Sequence, residues 1–254
     1  MSESVQEYRH LSKPPIVEAV IDIRVKLPSD FKLEVFHPWR AQMAENYPGF
    51  EEQQIIEQTI KQEPGQSAEF STRISGIHGH RLLSKDGKNV VQLRRDGFTF
   101  SRLNPYTKWE EVFSEAWRLW GMYVETAKPD EVSRIAVRYI NRLLLPVPFT
   151  DPTKYLNAPP AVAEGWPSNM SAFVTRIVVN DPESDIAVNV SQALEPQPPG
   201  DQTHMPLIMD IDAYQNVTLS PDDVTIVERF ARLREMKNRI FFNGLTSGAI
   251  ELFR

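Results

Sequence analysis

Residues 81–103 read RLLSKDGKNVVQLRRDGFTFSRL, and two dipeptides in this stretch decide the fold class. Asp86-Gly87 and Asp96-Gly97 are hairpin turns flanked by strand-forming residues. They imply three antiparallel strands at about 81–85, 89–95 and 98–102. Immediately downstream, Thr107-x-x-Glu110 has the form of a capping box. Trp109, Val112, Phe113, Ala116, Trp117, Trp120, Tyr123, Val124 and Ala127 then recur at helical spacing until Pro129 stops the pattern. A tryptophan-rich stripe of this kind reads as the core side of a helix lying on a sheet.

Upstream, Val17–Leu27 alternates strictly, with Val17, Ala19, Ile21, Ile23, Val25 and Leu27 apolar. This is a strand with one buried face, ended by Pro28. A helix is expected from Pro38 to about Asn46. The stretch Gln53–Ile74 reads as strands broken at Glu63-Pro64-Gly65. Downstream of the long helix, Val132–Leu145 is a strand, and 146–170 is a long Pro- and Asn-rich loop. Phe173–Asn180, Ile186–Leu194 and Leu207–Ala213 are further strands, the last two separated by a loop at Glu195–Pro206. Ser220-Pro221-Asp222-Asp223 is a helix start, and Asn243-Gly244 is expected to cap the far end of that helix.

The elements therefore recur in the same order. Ala19-Val20 to Leu27-Pro28 resembles Ala136-Val137 to Leu145-Pro146, and each half closes with a long helix. The expected class is α+β, with antiparallel sheet and two long amphipathic helices on one face. An internal duplication of a β-(α)-β-β-β-α unit accounts for the order. The expected organisation is a flexible tail at 1–12, a first α+β half at 13–128 and a second at 129–254, joined in one compact domain.

The chain has 254 residues and is 41% hydrophobic, enough for a core that needs no staple. It has no cysteine, which excludes disulfides, thiolate metal sites and thiol nucleophiles. Its 28 basic and 34 acidic side chains leave a net charge of −6, which disfavours nucleic acid as the partner. The N-terminal residues show no signal peptide and no apolar run is long enough for a membrane helix, so the expected location is cytoplasmic.

Three constellations carry chemistry. Arg134, Arg138 and Arg142 share the even face of the strand 132–145, about 13 Å apart in steps of four residues. They suit an anionic ligand or, more commonly, cross-strand pairing with Asp210 and Asp212. Asn141 falls on the otherwise apolar odd face with Ile135, Val137, Tyr139 and Leu143, so it needs buried partners. Lys237 or Asn238 of the last helix are the partners expected for it. His78-x-His80 has a zinc-like spacing, but Gly79 between the two favours a turn, and no metal site is expected. No phosphate loop, nucleophile elbow or zinc-protease motif is present, and no cofactor is implied.

Four stretches taken together resemble a known family. They are Lys13-Pro14-Pro15-Ile16-Val17-Glu18-Ala19-Val20, Leu103-Asn104-Pro105-Tyr106-Thr107-Lys108-Trp109, Arg138-Tyr139-Ile140-Asn141-Arg142, and Leu233-Arg234-Glu235-Met236-Lys237-Asn238 with Phe241-Phe242. The resemblance is to a sporadically distributed family of bacterial and archaeal proteins of about this length. That family has no assigned activity, so the resemblance carries over no catalytic residue. It implies traffic on mobile elements, near defence or toxin–antitoxin loci. The reading is a non-catalytic module for an unknown protein or anionic ligand. The alternative is an enzyme or ligand-binding protein that takes an anionic small molecule or nucleic acid on the arginine row and paired aspartates.

Overall fold

The computed structural model describes residue 8 and residues 11–61, 69–149, 151–167, 170–195 and 203–254, with backbone alone at 55–61 and 69–75. The fold is α+β. Its frame is an antiparallel sheet of nine strands among the described residues: β1 (Ile16–Lys26), β2 (Gly49–Lys61), β3 (Glu69–Leu83), β4 (Asn89–Arg94), β5 (Gly97–Leu103), β6 (Glu131–Pro146), β7 (Phe173–Asp181), β8 (Ile186–Leu194) and β9 (His204–Leu219). The spatial order is β2-β3-β4-β5-β1-β6-β9-β8-β7. From the central β1–β6 pair, the sheet therefore runs outward as β5, β4, β3, β2 on one side and β9, β8, β7 on the other, so that β2 has no counterpart in the second half.

Alternation sets the two faces. Ile21 lies between Phe100 of β5 and Val137 of β6, and Val137 lies beside Ala213 of β9; all four are buried. Asp22 and Arg134 belong to the opposite, polar face. Helix α2 (Trp109–Ala127) sets Trp120 and Tyr123 against Phe98 of β5. Helix α3 (Thr225–Gly244) packs on β6, β8 and β9, and its Phe230 meets Phe113 of α2 at 5.5 Å between ring centres. Short α1 (Trp39–Gln42) and α4 (Ser247–Glu251) complete the helices. No helix among the described residues is long and apolar enough to cross a membrane.

The structure corrects several local expectations. The helix expected from Pro38 to Asn46 is only a 3₁₀ turn at Leu33–Phe36 and the single turn of α1. Pro48 bars the residue before it from helical geometry, and Trp39 and Tyr47 are instead tied to α2, Trp39 Nε1 donating to Thr126 and Tyr47 Oη to Glu115. Thr107 does not cap α2. The helix starts at Trp109 after an extended Lys108 with no side-chain cap, because Tyr106 is drawn down to Tyr139, their hydroxyls 2.9 Å apart. Ser220 does not cap α3 either. Its hydroxyl is committed to Asp222, and Asp223 Oδ1 instead accepts from Thr225 N at 2.7 Å.

The end of α3 is not a glycine cap. Asn157, from the loop expected at 146–170, donates its amide to Asn243 O at 2.8 Å and Leu245 O at 2.9 Å. A Cβ at Gly244 would come 2.7 Å from Met209 Cε, the end of a flexible side chain that can turn aside. The break expected at Glu63-Pro64-Gly65 and residues 196–202 of the loop expected at Glu195–Pro206 lie outside the described residues, as do 1–7, 9 and 10 of the expected tail; His204, Met205 and Pro206 of that loop already belong to β9. Within that tail, Leu11 is buried and Tyr8 stacks on Phe242 at 5.0 Å.

Candidate functional site

The residues singled out from the sequence divide between the two faces of the sheet. On the polar face the structure brings Arg134, Arg138, Arg142, Asp210 and Asp212 together. Arg138 is bidentate on Asp210, at 2.9 and 2.6 Å. Arg134 bridges Asp212 at 2.9 Å and Asp22 at 3.1 Å, and Arg142 lies 3.6 Å from Glu195. Every guanidinium of the row thus has a carboxylate.

Asp22 is the hub that the sequence reading passed over. It accepts from Arg94 at 2.8 Å, Thr99 at 2.7 Å and Arg24 at 3.1 Å besides Arg134. Burial pushes the Asp22 carboxyl upward, but the Arg94 and Arg24 charges, with the Arg94 and Thr99 hydrogen bonds, outweigh burial and hold it below the usual value. A shallow hollow of about 440 Å³ lies over this network. An anion entering it has to compete with carboxylates already in place.

His78 and His80 are separated by a register shift in β3. His78 lies 3.5 Å from Asp96, whereas His80 is buried, stacked on Phe50, with Nε2 3.3 Å from Leu33 O. No cluster of three or more metal-ligating side chains exists among the described residues.

The remaining candidates, Asn141, Lys237 and Asn238, meet on the other face in a cleft of about 250 Å³. Three segments build it. β6 supplies Tyr139 and Asn141, the start of α2 and the chain leading into it supply Trp109, Tyr106 and Lys108, and α3 supplies Arg234, Lys237 and Phe241. Pro14 and Pro15 close one side, where Arg142 N donates to Pro15 O at 2.8 Å and Ile16 pairs with Asn141.

Asn141 is buried and donates its amide to Met209 O at 3.0 Å and Tyr139 O at 3.3 Å. Backbone carbonyls, not Lys237 or Asn238, are its partners. Lys237 is 8% exposed. Its Nζ lies 3.8 Å from the centre of the Tyr139 ring and donates to Asn238 Oδ1 at 2.6 Å. It forms no ion pair among the described residues. Burial, aided by the Arg234 charge, pulls its ammonium down to about 7. Arg234 lies over the Trp109 ring at 5.4 Å and pairs with Glu110 at 3.4 Å. Burial raises Tyr8, Tyr106 and Tyr139 above the ordinary phenol value, so the tyrosine walls are neutral.

The alternation and helical spacing put Trp109 and Tyr139 on core faces, where both are indeed buried, and singled out neither Tyr106 nor Arg234. Tyr106, Trp109, Tyr139 and Arg234 were therefore missed as cleft walls, although each stands in one of the four stretches of family resemblance. No family model matches this chain, and no curated protein does.

Proposed function

We propose that this chain is a non-catalytic binding module whose ligand seats in the cleft between α3, β6 and the chain leading into α2. The observation that carries the reading is Lys237, a buried cation with no carboxylate partner among the described residues, lining an aromatic-walled opening. A lone buried charge is costly and is normally paired. Retaining one beside a cleft is the pattern of a group kept for an outside partner. The four stretches that suggested the sporadically distributed family all contribute walls to this one cleft, and we propose membership of that family on the same pattern.

We further propose that the two halves descend from a duplicated unit, with α2 and α3 on the same face of the sheet. The matching outward orders β1-β5-β4-β3 and β6-β9-β8-β7 support this. The β1–β6 ladder, its two register irregularities included, is symmetric about the Ile21–Val137 pair. In that frame Leu27 corresponds to Leu143, so Leu27-Pro28 and Leu145-Pro146 are two residues out of step. Ala19 and Ala136 do not correspond: Ala19 pairs with Tyr139 on the core face, and Ala136 with Asp22 on the polar face.

The duplication sharpens the case for the cleft. Asn141 stands where β1 has buried Val25, four residues beyond the symmetric pair in each strand. α2 buries Ala116, Leu119 and Trp120, and α3 buries Leu233, Met236 and Lys237 at the same spacing. Lys237 thus takes the place of Trp120. Two positions that are apolar core in one half are polar cleft in the other.

A fragment screen read by NMR on assigned tryptophan indoles tests the reading. Binding fragments are expected to shift the Trp109 indole and leave that of buried Trp39 in place. Hits that spare Trp109, or gather on the Asp22–Arg134 face, contradict it.

A further inference from the structure

Resting on that binding reading, we propose that the cleft takes an organic monoanion: a carboxylate seated on Lys237 Nζ, carried by a flat apolar body held against Tyr106, Trp109 and Phe241. Three observations point to this class. Among the described residues the cleft is lined by three cations, Lys108, Arg234 and Lys237, and one carboxylate, Glu110; Glu110 lies 3.4 Å from Arg234, and Glu111, outside the lining, lies 3.3 Å from Lys108, which leaves Lys237 without a carboxylate. This is a local excess of positive charge on a chain of net charge −6. Of the three cations, Lys237 alone is buried, and an anion delivered to it meets a charge-assisted bond in a low-dielectric setting, where such bonds are strong. The remaining walls are aromatic, which selects a planar apolar body over a hydrated inorganic ion. The cleft, at about 250 Å³, suits a small ligand.

The same arrangement makes binding depend on pH. The groups facing Lys237 are Tyr139 from β6, Tyr106, Lys108 and Glu110 from the chain at the start of α2, Arg234 and Asn238 from α3, and Tyr8 from the N-terminal segment. The tyrosines are neutral. Lys237 therefore governs the profile: it is charged at pH 6 and mostly neutral at pH 8.5. An anion that needs the ammonium should bind roughly tenfold or more weakly at the higher pH.

The test titrates benzoate, benzamide, benzylamine and inorganic phosphate against the full chain, following the Trp109 indole. Benzoate is expected to bind at pH 6, with benzamide, benzylamine and phosphate at least about tenfold weaker. Its affinity should fall at pH 8.5 and be lost in Lys237→Met, whose fold is checked by its melting transition. Arg232→Gln, on the same helix outside the cleft, should leave benzoate affinity unchanged. Benzamide or benzylamine binding as tightly as benzoate overturns the monoanion proposal and leaves the cleft reading standing. Phosphate binding as tightly overturns the role of the aromatic walls, and with it the proposal. If none of the four probes moves Trp109 while the fragment screen does, the monoanion class is wrong. If the screen also leaves Trp109 untouched, the binding reading falls with it.

Discussion

Lys237→Met is expected to stabilise the protein at pH 6 by roughly 2–4 kcal/mol, an unusual direction for a change at a buried position. In the unfolded chain this ammonium titrates near the ordinary 10.5, and in the fold it is pulled down to about 7. Each unit of that difference corresponds to about 1.4 kcal/mol. The folded protein therefore binds the proton less well than the unfolded chain. The resulting destabilisation is fully present below pH 7 and is relieved as pH rises from 7 towards 10.5. Met keeps the length and apolar stem of the side chain without the charge. The variant's advantage should be greatest at pH 6 and nearly gone by about pH 10. Urea unfolding of both proteins at the two pH values measures it. A variant less stable than the parent at pH 6, or a gap that ignores pH, contradicts a desolvated ammonium.

Asp22→Ala is expected to cost about 3–5 kcal/mol, the typical loss when one partner of a buried ion pair is removed. Its carboxylate is shared by Arg24, Arg94 and Arg134 and accepts from Thr99. Arg134 keeps Asp212, and Arg24 and Arg94 keep Asp96, but the Arg94 terminal amino group facing Asp22 loses its acceptor in a buried setting. Asp22→Asn, which keeps an acceptor oxygen, should cost less. The folded carboxyl titrates below its unfolded value, so its contribution is present above about pH 4 and fades as pH falls through the depressed folded value. The parent–variant gap should therefore hold at neutral pH and narrow only in strong acid. Thermal unfolding at pH 7 and pH 3 measures it, and a gap below about 1 kcal/mol at neutral pH would remove Asp22 from the centre of the network.

Much of the frame was legible because alternation is a local signal. The Asp86-Gly87 and Asp96-Gly97 turns give β3, β4 and β5, and the apolar odd positions of Val17–Leu27 give the core face of β1. Asn141 was legible for the same reason: a polar residue on an apolar face must be bonded, and it is. Helix ends were read less well. Capping residues were judged by type, whereas Ser220 is diverted by Asp222 and α2 is positioned by the Tyr106–Tyr139 contact, which spans 33 residues. The charge network was half visible. Arg134 and Arg138 do meet Asp212 and Asp210, but Asp22 reaches them only because β1 lies beside β6 at the centre of the sheet. The cleft was hidden most fully, since its walls come from stretches that fold together only once the sheet is assembled. Lys237 sits at a position whose spacing reads as core, and its charge reads as surface; burial beside a cleft satisfies both.

The most direct test of the account is the titration of Lys237 itself, followed by pH-dependent reductive methylation of the native protein and peptide mapping. The account predicts that Lys237 reacts through the cleft with an apparent pKa near 7, well below the ordinary 10.5, and is protected by saturating benzoate at pH 6. A Lys237 that titrates near the ordinary 10.5, or that benzoate leaves unprotected, would contradict the claim that this cleft holds a buried cation, without a carboxylate among the described residues, for an anionic ligand.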